Sequence, residues 1–152
     1  MTAATADADV TTACVCGRLR RATRALTQLY DDLLAPSGLR VTQFSLLRTL
    51  AREGTVRISE LAALALLDRT ALSRNLEPLA AQGLVDITPG RDARTREIRL
   101  TRAGRAALAK AMPLWRRAQV EVGKRLGERR TDALVALRAS VEELRPAPAP
   151  HD

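Results

Sequence analysis

The chain has 152 residues, a length that supports one packed core rather than several domains. Its composition is 46% hydrophobic but only 2% aromatic, so leucine, alanine and valine must fill the interior, which favours helices packed on helices. The 25 basic residues outnumber 17 acidic ones for a net charge of +8, and all of the basic residues except Lys110 and Lys124 are arginine. Planar guanidinium groups suit phosphates and guanine edges, so a polyanionic partner is expected; an arginine-rich background composition with a merely soluble surface is the bland alternative. No apolar run approaches the roughly 20 residues of a membrane helix and no secretory leader pattern opens the chain, so a cytoplasmic location is expected.

Residues 1–12 are small and polar without periodicity, and the tail 145–152 is rich in proline and alanine; both are expected to be disordered. A first helix is predicted from about Cys14 to Ala35, because Val15, Leu19, Ala22, Leu26, Leu29 and Leu33 recur at spacings of four and three. Pro36, Ser37 and Gly38 stop it. Thr42 is a candidate N-cap for a second helix carrying Phe44, Leu47 and Leu50 inward until Glu53 and Gly54. A third begins near Ser59 and ends around Leu67, and Asp68 caps a fourth that buries Leu72, Leu76 and Leu79 and stops at Gly83. Two short helices separated by a three- or four-residue turn make a helix-turn-helix. Pro78 removes a backbone donor inside the fourth helix, where a bend is expected.

After Gly83 the period switches to two. Val85 and Ile87, then Ile98 and Leu100, alternate with polar residues and define a hairpin with a polar loop from Pro89 to Thr95. Thr101 then caps a long fifth helix reaching roughly Leu126, with Leu108, Met112, Trp115, Val122 and Leu126 inward and Pro113 as a bending point. A sixth helix carries Leu134, Leu137, Val141 and Leu144.

Five segments, Ile58-Ser-Glu-Leu-Ala, Asp68-Arg-Thr-Ala-Leu-Ser-Arg-Asn-Leu-Glu-Pro-Leu, Gly83-Leu-Val, Gly90-Arg-Asp-Ala-Arg-Thr-Arg and Leu100-Thr-Arg-Ala-Gly, follow one another in this order. In them the chain resembles the MarR family of multiple-antibiotic-resistance regulators, and the remaining helices match in order over roughly residues 14–144. The resemblance implies a mainly α fold with a small β-hairpin wing (α+β). Residues 37–101 would be a winged helix-turn-helix DNA-binding region, and 13–36 and 102–144 long terminal dimerisation helices. It also implies a two-fold homodimer on a pseudo-palindromic operator, with recognition helices about 34 Å apart. The apolar stripes of the first, fifth and sixth helices, more than one small domain can cover, argue for the same dimer.

The residues themselves point to duplex DNA. With Leu72, Leu76 and Leu79 inward, Thr70, Ser73, Arg74 and Glu77 project outward, since residues two apart on a helix lie about 200° around. Arg69 and Arg74 then donate to guanine or phosphate oxygens, and Thr70 and Ser73 serve either. A plain solvated helix face is the bland alternative. Arg91, Arg94 and Arg96 surround the hairpin tip, where the family's wing enters the minor groove and narrow grooves attract arginine. Asp92 matches a family position that holds the wing arginine, so its expected role is orienting.

Cys14 and Cys16 are the chain's two cysteines, too close in sequence to staple a fold and expected as free thiols. Their place at the head of a helix beside Arg18, Arg20 and Arg21 favours a reactive thiolate. In the organic-hydroperoxide-sensing branch of the family a reactive cysteine opens this helix, and Cys16 and Tyr30 match its cysteine and a tyrosine partner. Arg20 and Val41 stand where that branch has further tyrosines. Cys16 and Tyr30 are about 21 Å apart along a helix, so their contact would cross the dimer. Simple packing of the cysteines, or a metal or metalloid held by Cys14 and Cys16, are the alternatives; two thiolates per chain and one His151 in the tail are too few for a common zinc site.

No Ser-His-Asp set, phosphate-binding glycine loop or carboxylate cluster is present, so neither an enzyme nor a cofactor is expected. The reading is a sequence-specific transcription regulator, more often a repressor, released by a small aromatic or electrophilic effector or by thiol modification. A winged-helix protein-interaction module without a DNA target is the alternative. Family members hold aromatic acids between the dimerisation helices and the winged domain. Leu19, Tyr30, Phe44 and Trp115 would line that space here, or simply belong to the core.

Overall fold

The computed structural model describes residues 14–92 and 94–144, so the expectations for the two tails and for His151 lie outside the described residues. Helix α1 (Val15–Leu34) begins after Cys14 and leads into a short 3-10 turn, Ala35–Ser37. Gly38 closes that turn at φ 78°, a conformation that glycine adopts without steric cost, and its N–H donates to the Ala35 carbonyl at 3.0 Å. Helix α2 (Val41–Glu53) follows at once.

Its cap differs from the sequence expectation. Arg40, not Thr42, is the N-cap, and Thr42 lies inside the helix. The preceding helix supplies one acceptor, Asp31 Oδ1, which takes the Val41 N–H at 2.7 Å, and within α2 itself Gln43 Oε1 reaches back to accept the Arg40 N–H at 3.0 Å. A long-range carboxylate has replaced the local hydroxyl.

Strand β1 is only Val56–Arg57 and runs straight into α3 (Ile58–Ala65). The helix therefore starts at Ile58 with Arg57 as its N-cap, just ahead of the expected start near Ser59, because pairing with a distant strand delivers the chain already extended. Helix α3 ends at Leu66, which takes the left-handed φ of 54° that glycine usually fills. Helix α4 (Arg69–Ala81) has the expected cap: Asp68 Oδ1 accepts the Ala71 N–H at 2.8 Å. Pro78 sits inside α4 and does not end it.

Strands β2 (Val85–Pro89) and β3 (Arg96–Leu100) form the hairpin, and β1 joins on the far side of β3 in the antiparallel order β1-β3-β2. The expected hairpin is thus part of a three-stranded sheet; two residues are too few to display a period of two. Alternation sends Val85, Ile98 and Leu100 into the core and leaves Asp86 opposite Arg99 on the outer face, paired at 2.7 Å. Thr101 Oγ1 accepts the Gly104 N–H at 3.0 Å, capping α5 (Arg102–Leu126) as expected. A side chain on Gly104 would strike the Leu84 carbonyl oxygen, so only glycine lets the first turn of α5 lie against the entry to β2.

The chain divides into two units after Trp115. In the first, one cluster that includes Leu34, Phe44, Leu47, Leu61, Leu79 and Ile98, all fully buried, holds the helices to the sheet. Each such side chain contributes about 1.5–3 kcal/mol of burial. In the second, α6 (Glu128–Glu142) buries none of its residues. Leu134, Leu137 and Val141 are exposed, and Leu144, expected on the helix, lies beyond its end. Among the described residues no helix is long and apolar enough to cross a membrane.

Candidate nucleic-acid interface

Helix α4 buries Leu72, Leu76 and Leu79 and exposes Arg69, Thr70, Ser73, Arg74 and Glu77. Its polar face thus combines cationic and hydroxyl side chains, the set that meets phosphates and base edges. The helix is pinned at its start by Asp68, while Asn75 folds back to donate from Nδ2 to the Ala71 carbonyl at 2.8 Å. Asn75 is therefore turned inward along the helix and does not add to the outer face.

The second part of the surface is the tip of the β2–β3 hairpin. The Gly90 N–H donates to the Thr95 carbonyl at 2.9 Å, and a side chain at Gly90 would collide with Thr95 Oγ1, so glycine is required to close the loop. Asp92 organises the rest: its carbonyl accepts from Thr95 Oγ1 and from the Thr95 N–H, each at 2.8 Å. Its carboxylate Oδ1 accepts the Arg94 N–H at 3.0 Å. The contact is to the Arg94 backbone, which leaves the guanidinium outside it. Arg91, Arg94 and Arg96 are all exposed.

Among the described residues the ion pairs fall on other arginines. Arg40, Arg52, Arg99, Arg125 and Arg138 each pair with a carboxylate. Arg69, Arg74, Arg91, Arg94 and Arg96 have no ion-pair partner among the described residues. Unpaired guanidinium groups on one capped helix and one tight loop form a surface ready for a polyanion, with little internal neutralisation to undo.

The candidate sensing residues lie on α1. Cys14 and Cys16 are both free and exposed. Cys14 has φ −59° and ψ 113°, outside helical geometry, so the opposed directions of two residues two apart on a helix do not apply to the pair. Tyr30 stands far along the same helix, about 21 Å from Cys16 by helical rise, and burial pushes its phenol pKa up. Among the described residues no group of three or more histidine, cysteine, aspartate or glutamate side chains is placed to hold a metal ion.

Phe44 and Trp115 stack with ring centroids 5.6 Å apart, and the Arg48 guanidinium carbon lies 4.5 Å from the Trp115 ring centroid. They are packed together as core. Among the described residues of the first unit, a cavity of about 450 Å³ lies at the base of the wing and another of about 540 Å³ between α1 and the start of α2. Leu19, Tyr30, Phe44 and Trp115 line neither. The first contains Arg99, Arg102 and Arg105, which sequence reasoning passed over. The only available signal was the spacing of basic residues around Thr101, and the topology that gathers them was not visible in it.

A capped helix with an arginine and hydroxyl face, followed by a hairpin with an arginine tip, defines a winged helix-turn-helix transcription regulator. The MarR family model matches residues 37–95, which hold the helix-turn-helix and most of the wing. The transcriptional regulator MosR of M. tuberculosis, solved in complex with DNA, is 45% identical to the chain. The match covers 88% of this chain and 99% of that one, with a TM-score of 0.75. The transcriptional repressor CouR bound to a 23-mer DNA duplex is 28% identical, covering 87% and 94% of the two chains, with a TM-score of 0.75. A cysteine-to-serine mutant of E. coli MarR with operator DNA is 25% identical, covering 86% and 93%, with a TM-score of 0.70. No curated protein sequence matches. The chain belongs to the MarR family, whose members are DNA-binding transcription regulators and not enzymes.

Proposed function

We propose that the chain acts as a two-fold homodimer on a pseudo-palindromic operator and represses transcription from it in the cytoplasm. Arg69, Thr70, Ser73 and Arg74 contact the major groove, and Arg91, Arg94 and Arg96 the adjoining minor groove and its phosphates. Asp92 orients the wing through the Arg94 backbone. The observation that carries the reading is the set of five unpaired arginines on a capped helix and a closed loop. Residues 13–36 and 102–144 supply the dimer contacts, supported by the exposed Leu134, Leu137 and Val141, which have no cover within one chain. The dimer is tested by sedimentation: the intact chain runs as two copies, and a monomer at micromolar concentration refutes the two-fold reading.

Release from DNA follows modification of Cys14 and Cys16, which are exposed at the head of α1 next to a run of arginines. Mild hydroperoxide treatment is expected to change the mass of one or both thiols and to lower duplex affinity together. Unmodified thiols with unchanged affinity refute the thiol signal and leave a small aromatic effector as the trigger. A protein-interaction module would give no purpose to the wing arginines, and is distinguished by the absence of any DNA shift.

A further inference from the structure

We propose that the cavity at the base of the wing is a binding site for a small polyvalent oxyanion, a phosphate ester or a polycarboxylate, separate from the DNA-contacting surface. The cavity holds about 450 Å³ and is lined by Leu50, Gly54, Thr55, Leu100 and Thr101 together with Arg99, Arg102 and Arg105. Its size falls in the range of small-ligand sites. Three arginines and two threonines are among the lining residues, and no acidic residue is; the Thr101 hydroxyl is already engaged with the Gly83 carbonyl and the Gly104 N–H, which leaves the arginines as the groups that would meet a ligand.

Among the described residues one carboxylate, that of Asp86, pairs with these three arginines, and it engages only Arg99. Strand β1 ends its pairing with β3 at Ile98, leaving the edge of β3 open beyond that point. Gly54, at φ 81°, turns the chain from α2 toward β1 beside this open edge. Asp86 fixes Arg99 from the neighbouring strand, accepting Nε at 3.0 Å and Nη2 at 2.7 Å on the same carboxylate oxygen. That leaves Nη1 of Arg99 without a partner among the described residues. Arg102 and Arg105 have no ion-pair or hydrogen-bond partner for their side chains among the described residues. Both lie in the first turn of α5, where the helix dipole adds to the positive potential.

Ligand class follows from the lining. Two leucines offer little area for an aromatic ring, whereas three forked cations match several oxygens at once. The cavity is also removed from the wing tip. Five residues of β3 separate its end at Leu100 from the tip loop, about 16 Å of extended chain, and no residue of α4 lines it. A bound anion would bridge the end of β3 to the start of α5. The proposal does not depend on the DNA reading, because binding is measured on the protein alone.

The test is calorimetric titration of the intact chain with pyrophosphate and, separately, with citrate, followed by amide NMR. Expected is saturable binding of at least one of them with shifts at Thr55, Thr101 and Gly104; which one binds more tightly distinguishes a phosphate from a carboxylate source. The double variant Arg102→Gln with Arg105→Gln should weaken binding about tenfold or more, while Arg116→Gln with Arg117→Gln, an equal loss of charge on exposed residues elsewhere on α5, should not. Equal weakening by both variants means an adventitious ion only and overturns the proposal, as does absence of saturable binding. If the first double variant instead lowers duplex affinity and flattens its salt dependence, these arginines are DNA phosphate contacts and the small-anion site is overturned.

Discussion

The winged unit and the last helix use similar leucine-rich sequence to opposite ends. Between Leu34 and Leu108 the leucines that recur at helical spacing are mostly buried in one cluster shared by α2, α3, α4 and the sheet. On α6 the spacing persists but Leu134, Leu137 and Val141 remain exposed. The difference teaches that periodicity marks a face that must be covered without saying by which chain. In the winged unit the covering elements lie close by and the core closes; on α6 the face stays exposed, and in our proposal a second copy covers it.

The sharpest way to break this contrast is to remove one side chain from each region. Phe44→Ala should cost the winged unit about 3–5 kcal/mol in denaturant unfolding, since Phe44 is fully buried against Trp115. Leu134→Glu with Leu137→Glu should shift sedimentation from dimer to monomer while the winged unit keeps its helical circular dichroism. If the double glutamate variant stays dimeric, α6 is not part of the covered face and the contrast fails.

The next effect is set by backbone space. Gly104→Ala places a methyl group against the Leu84 carbonyl oxygen and is expected to destabilise by about 1–3 kcal/mol, read as a lower thermal midpoint. A smaller loss, about 1 kcal/mol, is expected from Asp68→Ala, which removes the cap of α4. The smallest change has the opposite sign. Leu66→Gly should stabilise by up to about 1 kcal/mol, because the left-handed φ of 54° no longer opposes a β-carbon and Leu66 is half exposed. A destabilised Leu66→Gly variant would mean that the lost leucine contacts outweigh the relieved strain.

Much of this was legible in the sequence for local reasons. Asp68 caps α4 and Thr101 caps α5 because their acceptors reach donors three residues away, a relation that sequence spacing encodes. Leu72, Leu76 and Leu79 fall on one face for the same reason, and with them the outward set of Arg69, Thr70, Ser73 and Arg74. What was not legible depends on distant residues. Asp31 supplies the acceptor expected from Thr42, ten residues away from Val41 and on another helix. The two-residue β1 exists only because β3 is there to pair with it, and it moves the start of α3 from Ser59 to Ile58. Arg99, Arg102 and Arg105 are scattered in function until the end of β3 and the start of α5 set them around one cavity.

The central claim, that the arginine face of α4 and the wing tip grip duplex DNA, is tested most directly by affinity against salt on a duplex selected from a random pool. The account predicts a steep fall, about a thousandfold between roughly 50 and 200 mM salt for six or more phosphate contacts per dimer. Replacing Arg91, Arg94 and Arg96 together with alanine should weaken binding and reduce that slope. A response that is flat in salt, or a triple variant with the affinity and slope of the parent, would contradict it.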